Sequence, residues 1–255
     1  MSDVGRFGVF LPSYIWEGDG AERARGIKAF ARRVEELGFD SLFITDHLLA
    51  ARRFYSVNWL EPLMTLAVAA GATERVRLGT SIVILPLHNP FHVAKQAATL
   101  QDLSGGRAIV GVGMGWYERE YEFMGVEFAG RGRRGDEAIR LMRALWNGER
   151  QFDGRHWSYS DATADPLPSP PPEIWIGGSS ARAIRRAREL GDVWHPSRGS
   201  DAAHVRTVKE EHPQLRVMPR TVPEHVDAML GAGAEGAVVT FADEAAMREF
   251  ASTHL

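Results

Sequence analysis

Three times in this chain a helical pattern closes on glycine and an apolar strand follows at once. The joints are Glu36-Leu37-Gly38-Phe39-Asp40, Glu189-Leu190-Gly191-Asp192 and Leu230-Gly231-Ala232-Gly233. Glycine ends a helix at little steric cost, so the chain can turn straight into a strand. Repeated, that joint produces alternating helices and strands, and alternation demands parallel strands joined by helical crossovers. Strand patterns fall at residues 6–12, 41–45, 76–87, 107–111, 173–176, 192–195, 215–218 and 236–241. Helical spacing of apolar residues fills 21–37, 61–72, 91–103, 136–146 and a segment ending at Leu190. Residues 153–172, rich in proline, read as irregular loop. Eight strands with no break in composition predict one (β/α)8 TIM-barrel domain over residues 1–255, with a loop and helix excursion after strand four. An open doubly wound sheet is the alternative.

Residues 76–90, VRLGTSIVILPLHNP, carry the least ordinary strand. They open as a β-branched, apolar run suited to a buried parallel strand. Yet the twelve residues 76–87 are long for one barrel strand, and Thr80 and Ser81 place hydroxyls in mid-run. A bulge near Ser81-Ile82 accommodates both features, and bulges collect beside active sites. A strand running straight into an extended loop before Pro86 is the other reading.

Composition closes several classes of function. With 44% hydrophobic residues in 255, the chain can bury a large core. A formal net charge of −3 leaves no electrostatic footprint for nucleic acid, and no apolar run is long enough to span a membrane. The opening MSDVGRFGVF lacks the layout of a signal peptide, so the expected location is the cytoplasm. Without cysteine there is no thiol catalysis and no thiolate metal site, and the nine histidines show no metal-ligand spacing. Redox chemistry in such a chain requires a bound cofactor, and a small-molecule substrate is the expected partner.

In a barrel the chemistry gathers at the C-terminal strand ends. Those ends carry Pro12-Ser13, Asp46-His47, Ser81 to Pro86 with Ile82, the glycines from Gly111 to Gly115, Gly177 to Ser180, and His195-Pro196. Small hydroxyls and glycines suit backbone approaching a flat, phosphorylated ligand. Asp46-His47 is the acid–base candidate, with a capping aspartate beside a satisfied histidine as the plainer reading. Gly111-Val112-Gly113-Met114-Gly115 fails the dinucleotide fingerprint, whose third glycine would fall on Trp116. Its glycines serve either close approach to a ligand or tight barrel packing. Gly177-Gly178-Ser179-Ser180 opens a helix whose first-turn amides can hold an anion, with a serine N-cap as alternative or companion role. Arg131, Arg133 and Arg134 read as a solvated basic face. Tyr14, Trp16, Phe54, Tyr55 and Trp59 sit in loops that either rim a pocket or pack against loops and a dimer partner.

Together, segments 38–47 (GFDSLFITDH), 78–86 (LGTSIVILP), Asn89-Pro90, 94–100 (AKQAATL), 103–107 (LSGGR), 111–116 (GVGMGW), 134–146 and 174–178 (IWIGG) resemble the bacterial luciferase-like superfamily. The resemblance is to its branch that uses the deazaflavin coenzyme F420, and it covers most of residues 5–200. It implies a (β/α)8 barrel, a homodimer, and a bulge with a non-prolyl cis peptide at Ser81-Ile82 under one face of the ring. It implies Asp46 and His47 as the catalytic and cofactor-facing pair. Ser81, Ile82, Gly111, Val112, Gly113 and Gly177 follow as further cofactor contacts, and Gly178, Ser179 and Ser180 as the phosphate-binding helix start. Ser13, Tyr14, Trp16, Trp59 and His195 are the expected substrate-pocket residues. The implied activity is hydride transfer between the deazaflavin C5 and a small organic substrate, with His47 handling the accompanying proton. An FMN-dependent two-component monooxygenase fed by a partner reductase is the alternative, as is a non-catalytic cofactor-binding member. The chain is short for the family, chiefly between His195 and Glu235.

Overall fold

The computed structural model describes residues 7–12, 18–48, 59–197 and 199–255. In chain order come β1 (Phe7–Phe10), α1 (Gly20–Glu36), β2 (Ser41–Ile44), α2 (Pro62–Ala70), β3 (Arg77–Thr80) and β4 (Val83–Ile84). Then follow α3 (Pro90–Leu103), β5 (Ala108–Gly113), α4 (Glu118–Phe123), α5 (Arg131–Trp146), β6 (Phe152–Asp153) and β7 (Ser158–Tyr159). The last third holds β8 (Glu173–Gly177), α6 (Ala181–Leu190), β9 (Val193–His195), α7 (Ala202–Glu211), β10 (Arg220–Thr221), α8 (Val226–Gly231), β11 (Ala237–Val239) and α9 (Glu244–His254).

Parallel pairing runs β10-β11-β1-β2-β3-β5-β8-β9. The ring closes where Trp194 bridges Val217, its N–H donating to the Arg216 carbonyl at 2.8 Å while its carbonyl accepts from Met218 at 3.0 Å. That closure makes the molecule a (β/α)8 barrel and excludes the open sheet. The seventh strand differs from expectation: residues 215–218 contribute one bridge, and regular pairing to β11 falls later, at Arg220 and Thr221. The supposed loop 153–172 is likewise partly ordered. Its start completes a β6–β7 hairpin, pinned because the Glu137 carboxylate on α5 accepts the His156 and Trp157 amides at 2.6 and 2.9 Å.

Two of the three glycine joints turn as expected, with Gly38 at φ +88° and Gly233 at φ +98°. Gly191 is extended instead, at φ −101°. A Cβ there would lie 2.5 Å from Ile176, so glycine is needed at that joint for close helix–strand packing.

The central strand is bulged. Gly79 pairs with Ile109 but Val83 pairs with Val112, so four steps on one strand oppose three on its neighbour. The extra residue falls at Ser81-Ile82, whose peptide bond is cis. Three glycines make room for it. A Cβ on Gly111 would sit 1.9 Å from the Thr80 carbonyl oxygen, and one on Gly113 or Gly177 would sit 2.6 Å from the Ile82 side chain. Below the bulge the barrel is plugged by Phe43 and Trp175, 5.0 Å between ring centroids, with Phe43 lying over Gly79. Outside, α1, α2 and α9 bury one apolar cluster against the strands and α3, α5 and α6 a second. Among the described residues no helix is long and apolar enough to cross a membrane.

Candidate functional site

The C-terminal strand ends surround a cavity of about 490 Å³. Asp46 and His47 come from the end of β2, Ser81, Ile82 and Ile84 from the bulge, Gly115 and Trp116 from beyond β5. Gly177 and Gly178 enter from β8, His195 from β9, Arg220 from β10, and Trp59 from the segment before α2.

Asp46 is buried at 2% exposure and ties the bulge to the end of β2. One carboxylate oxygen accepts the Ile84 amide at 2.9 Å and meets His88 Nε2 at 2.6 Å. Backbone bonds add to that seam: the Ser81 amide donates to the Ile44 carbonyl at 2.7 Å and the Asp46 amide to the Ile82 carbonyl at 3.2 Å. Burial alone would lower the His88 pKa, but the hydrogen bond and charge of Asp46 outweigh it and hold the imidazole above its ordinary value. His47 belongs to a second pair. Its Nδ1 lies 3.4 Å from a carboxylate oxygen of Glu120, whose other oxygen accepts the Leu48 amide at 2.8 Å. Glu120 is 1% exposed, so α4 exists to deliver a buried carboxylate to the residues following β2.

His195 lies at the floor. Its Nδ1 is 2.5 Å from the Met218 carbonyl, which can only accept, so Nδ1 carries the proton and Nε2 accepts the Ser81 hydroxyl at 2.8 Å. Burial, with a smaller push from Arg220, drives its pKa down to about 4, despite the Met218 hydrogen bond that opposes the shift. This imidazole is a neutral structural acceptor. Its folded pKa lies below the ordinary 6.5, so the unfolded chain takes up the proton first as the solution is acidified. The neutral ring's full contribution is present above pH 6.5 and drains away towards pH 4, about 3 kcal/mol in all. Urea unfolding at pH 7, 6, 5 and 4 should show that loss, and a His195→Asn variant should flatten it. An equally steep profile in the variant assigns the loss elsewhere.

Of the residues expected here, Asp46, His47, Ser81, Ile82, Gly177, Gly178, His195 and Trp59 line the cavity together. Gly111, Val112 and Gly113 are buried in the wall behind the bulge and line neither this cavity nor its neighbour. Ser180 caps α6, its hydroxyl accepting the Ala183 amide at 3.2 Å. Ser179 exchanges hydrogen bonds with the Ser197 and Ser200 hydroxyls at 2.8 and 2.5 Å. Ser13, Tyr14, Trp16, Phe54 and Tyr55 lie outside the described residues. Sequence reasoning missed His88, Glu120 and Arg220. Arg220 follows an apolar strand pattern and faces the site with its guanidinium 3.4 Å from the Phe10 ring centroid. Glu120 had no signal of its own, being one of three glutamates that sit beside aromatics along α4.

A second cavity, about 910 Å³, lies between α5 and the start of α6. Met114 and Ser180 line it, next in the chain to Gly115 and near Gly178 of the first. Arg131, Arg133, Arg182, Arg185 and Arg186 dominate its wall. The basic cluster read as a solvated face is therefore partly gathered into a concave surface.

Residues 5–246 match the family model for luciferase-like monooxygenases. The chain is 39% identical over 173 residues to an F420-dependent glucose-6-phosphate dehydrogenase of Beutenbergia cavernae, covering 66% of this chain and 51% of that protein. It is 35% identical over 134 residues to the oxygenase component of a flavin-dependent trigonelline monooxygenase of Acinetobacter baylyi, covering 51% of this chain and 37% of that one. The chain thus spans about half the length of the dehydrogenase it matches. A solved structure of an F420-dependent secondary alcohol dehydrogenase with an F420–acetone adduct superposes with a TM-score of 0.81 at 18% identity, over 97% of both chains. That likeness is one of fold.

Proposed function

We propose that this chain, which belongs to the luciferase-like monooxygenase family, is an F420-dependent oxidoreductase that moves a hydride between the deazaflavin and a small organic substrate. The observation that carries the reading is the bulge at Ser81-Ile82. It presents a ledge to a cavity of ring-accepting size, and glycines at 111, 113 and 177 are what let it stand there. The cavity's other walls fit a flat ring: Trp59 and Trp116 supply apolar surface, and Gly115, Gly177 and Gly178 let backbone come close. The 39% identity to an F420-dependent dehydrogenase favours the deazaflavin over FMN.

When bound, the deazaflavin supplies hydride donation or acceptance at C5. The chain's own residues have separate tasks. Ser81, Ile82, Gly177 and Gly178 would hold the ring, and the start of α6 at Ser179-Ser180 its phosphate. His47 turns Nδ1 to Glu120, so a proton exchanged with substrate passes through Nε2, and the Glu120 carboxylate stabilises the imidazolium that results. Asp46 keeps the ledge in place through Ile84 and His88. Arg220 adds a cation to the cavity, suited to an oxygen that gains negative charge during transfer. A homodimer is supported by the family resemblance, and a cytoplasmic location by the lack of cysteine.

Titration of the apoprotein with oxidised F420 and, separately, FMN tests the reading, with quenching of the seven tryptophans as signal. Micromolar binding of F420, at least about tenfold tighter than FMN, is the expected result. The reverse preference would point to a two-component monooxygenase drawing reduced flavin from a partner reductase. Binding of neither would remove the redox assignment.

A further inference from the structure

We propose that the cavity at the strand ends takes a substrate with an apolar ring and a single reactive oxygen, and that Trp116 selects it; the inference rests on the deazaflavin reading of that cavity. Trp116 lines the cavity and yet is 56% exposed. Its place in the chain is fixed from both sides. Behind it Gly115 stands at φ +62°, where a Cβ would lie 2.6 Å from the Ile84 side chain. Ahead of it α4 is anchored by the Glu120 carboxylate, which accepts the Leu48 amide, and by the Tyr121 hydroxyl, which donates to the Met114 carbonyl at 2.5 Å. An indole held in this way offers a large apolar face at the rim to whatever enters. Trp59, Ile82 and Ile84 add to the apolar lining, with Trp59 set edge-on to Phe10 at 5.8 Å between ring centroids.

The cavity's polar groups are largely committed to the protein. Among the described residues, Ser81 donates to His195, His195 donates to the Met218 carbonyl, and Ser197 shares a hydrogen bond with Ser179. Asp46 gives one oxygen to the Ile84 amide and His88, and His47 turns Nδ1 to Glu120. His47 Nε2, the second Asp46 oxygen, Thr45 and Arg220 are then the polar side-chain groups that a substrate can meet. Such a set serves one oxygen, with His47 as proton carrier and Arg220 as cation. A polyol would bury more hydroxyls than these groups can match, and each unmatched hydroxyl weakens binding. In the oxidative direction the carbon bearing the oxygen gives its hydride to the deazaflavin and the hydroxyl proton passes to His47, leaving a carbonyl. The reductive direction returns both.

The probes are benzyl alcohol, inositol and inositol monophosphate, titrated calorimetrically into protein saturated with reduced F420, which cannot react with an alcohol. Saturation also keeps any weaker hold on the cofactor out of the measurement. Wild type should bind benzyl alcohol at least about tenfold more tightly than either polyol. Trp116→Ala should weaken benzyl alcohol by about tenfold and leave the polyols unchanged. Trp116→Phe, which keeps an aromatic face, should stay within about threefold of wild type. Thermal unfolding of both variants should match wild type, because Trp116 lies at the surface. A preference for either polyol, no binding of benzyl alcohol, or equal benzyl alcohol affinity in Trp116→Ala overturns the substrate class while leaving the deazaflavin reading intact. Wild type that cannot be saturated with F420 removes that reading, and this inference with it.

Discussion

Replacing His47 by alanine should lower kcat for F420-dependent hydride transfer by about 10²–10⁴-fold, the range removed with a positioned general acid or base. The affinity for F420 itself should change little, because the ledge at Ser81-Ile82 and the glycine turn are untouched. What makes His47 the candidate is its partner rather than its position alone. Glu120 is almost wholly buried, and a buried carboxylate is costly unless its oxygens are engaged; here one holds the Leu48 amide and the other faces Nδ1. A Glu120→Gln variant keeps an oxygen for Leu48 but loses the charge that stabilises an imidazolium. It should cost about tenfold in kcat, because the ring is then held by a neutral partner. Unchanged turnover in His47→Ala would assign the proton to another group. Unchanged turnover in Glu120→Gln would reduce the carboxylate to a structural anchor.

Gly111→Ala should destabilise the fold by about 3 kcal/mol or more, the upper range for overpacking a core. The added methyl group would meet a main-chain oxygen, Thr80 O, at 1.9 Å. A side chain can rotate away from such a contact, but this oxygen belongs to the bulged strand and accepts no easy shift. Thr80 is locked as well, its hydroxyl donating to the Gly111 carbonyl at 2.7 Å. Gly20→Ala is the control: it opens α1 with nothing within 4 Å of a built Cβ, so alanine there should be neutral or stabilising by up to about 1 kcal/mol. Urea denaturation of the two variants separates the cases. Equal midpoints would mean that the wall behind the bulge is more accommodating than its packing indicates.

This result bears on how the glycines of segment 111–115 should be understood. Along the chain they invite a ligand-contact reading, and tight packing is an equal rival. The structure sets Gly111 and Gly113 behind the bulge, so any effect on a bound ring passes through Thr80 and Ile82. The sequence carries the number of glycines but not which face of the wall they open onto.

Local pattern determined much of this protein. Helix–glycine–strand joints dictate alternation, alternation dictates a parallel sheet with crossovers, and twelve residues in one strand pattern leave a bulge near Ser81 or an extended loop before Pro86, between which the strand pairing decides. Asp46-His47 was legible because a strand end announces itself. What closure alone decided is the pairing of residues distant in the chain. Glu120 reaches His47 across 73 positions, His88 reaches Asp46 across 42, and Arg131 and Arg133 come beside Arg182 and Arg185 only when β5 and β8 pair. Periodicity is a property of neighbours along the chain, set by backbone geometry every two or 3.6 residues. The chemistry at the mouth of a barrel depends on which strand ends become neighbours in space, and that follows from register and ring closure, which no local window contains.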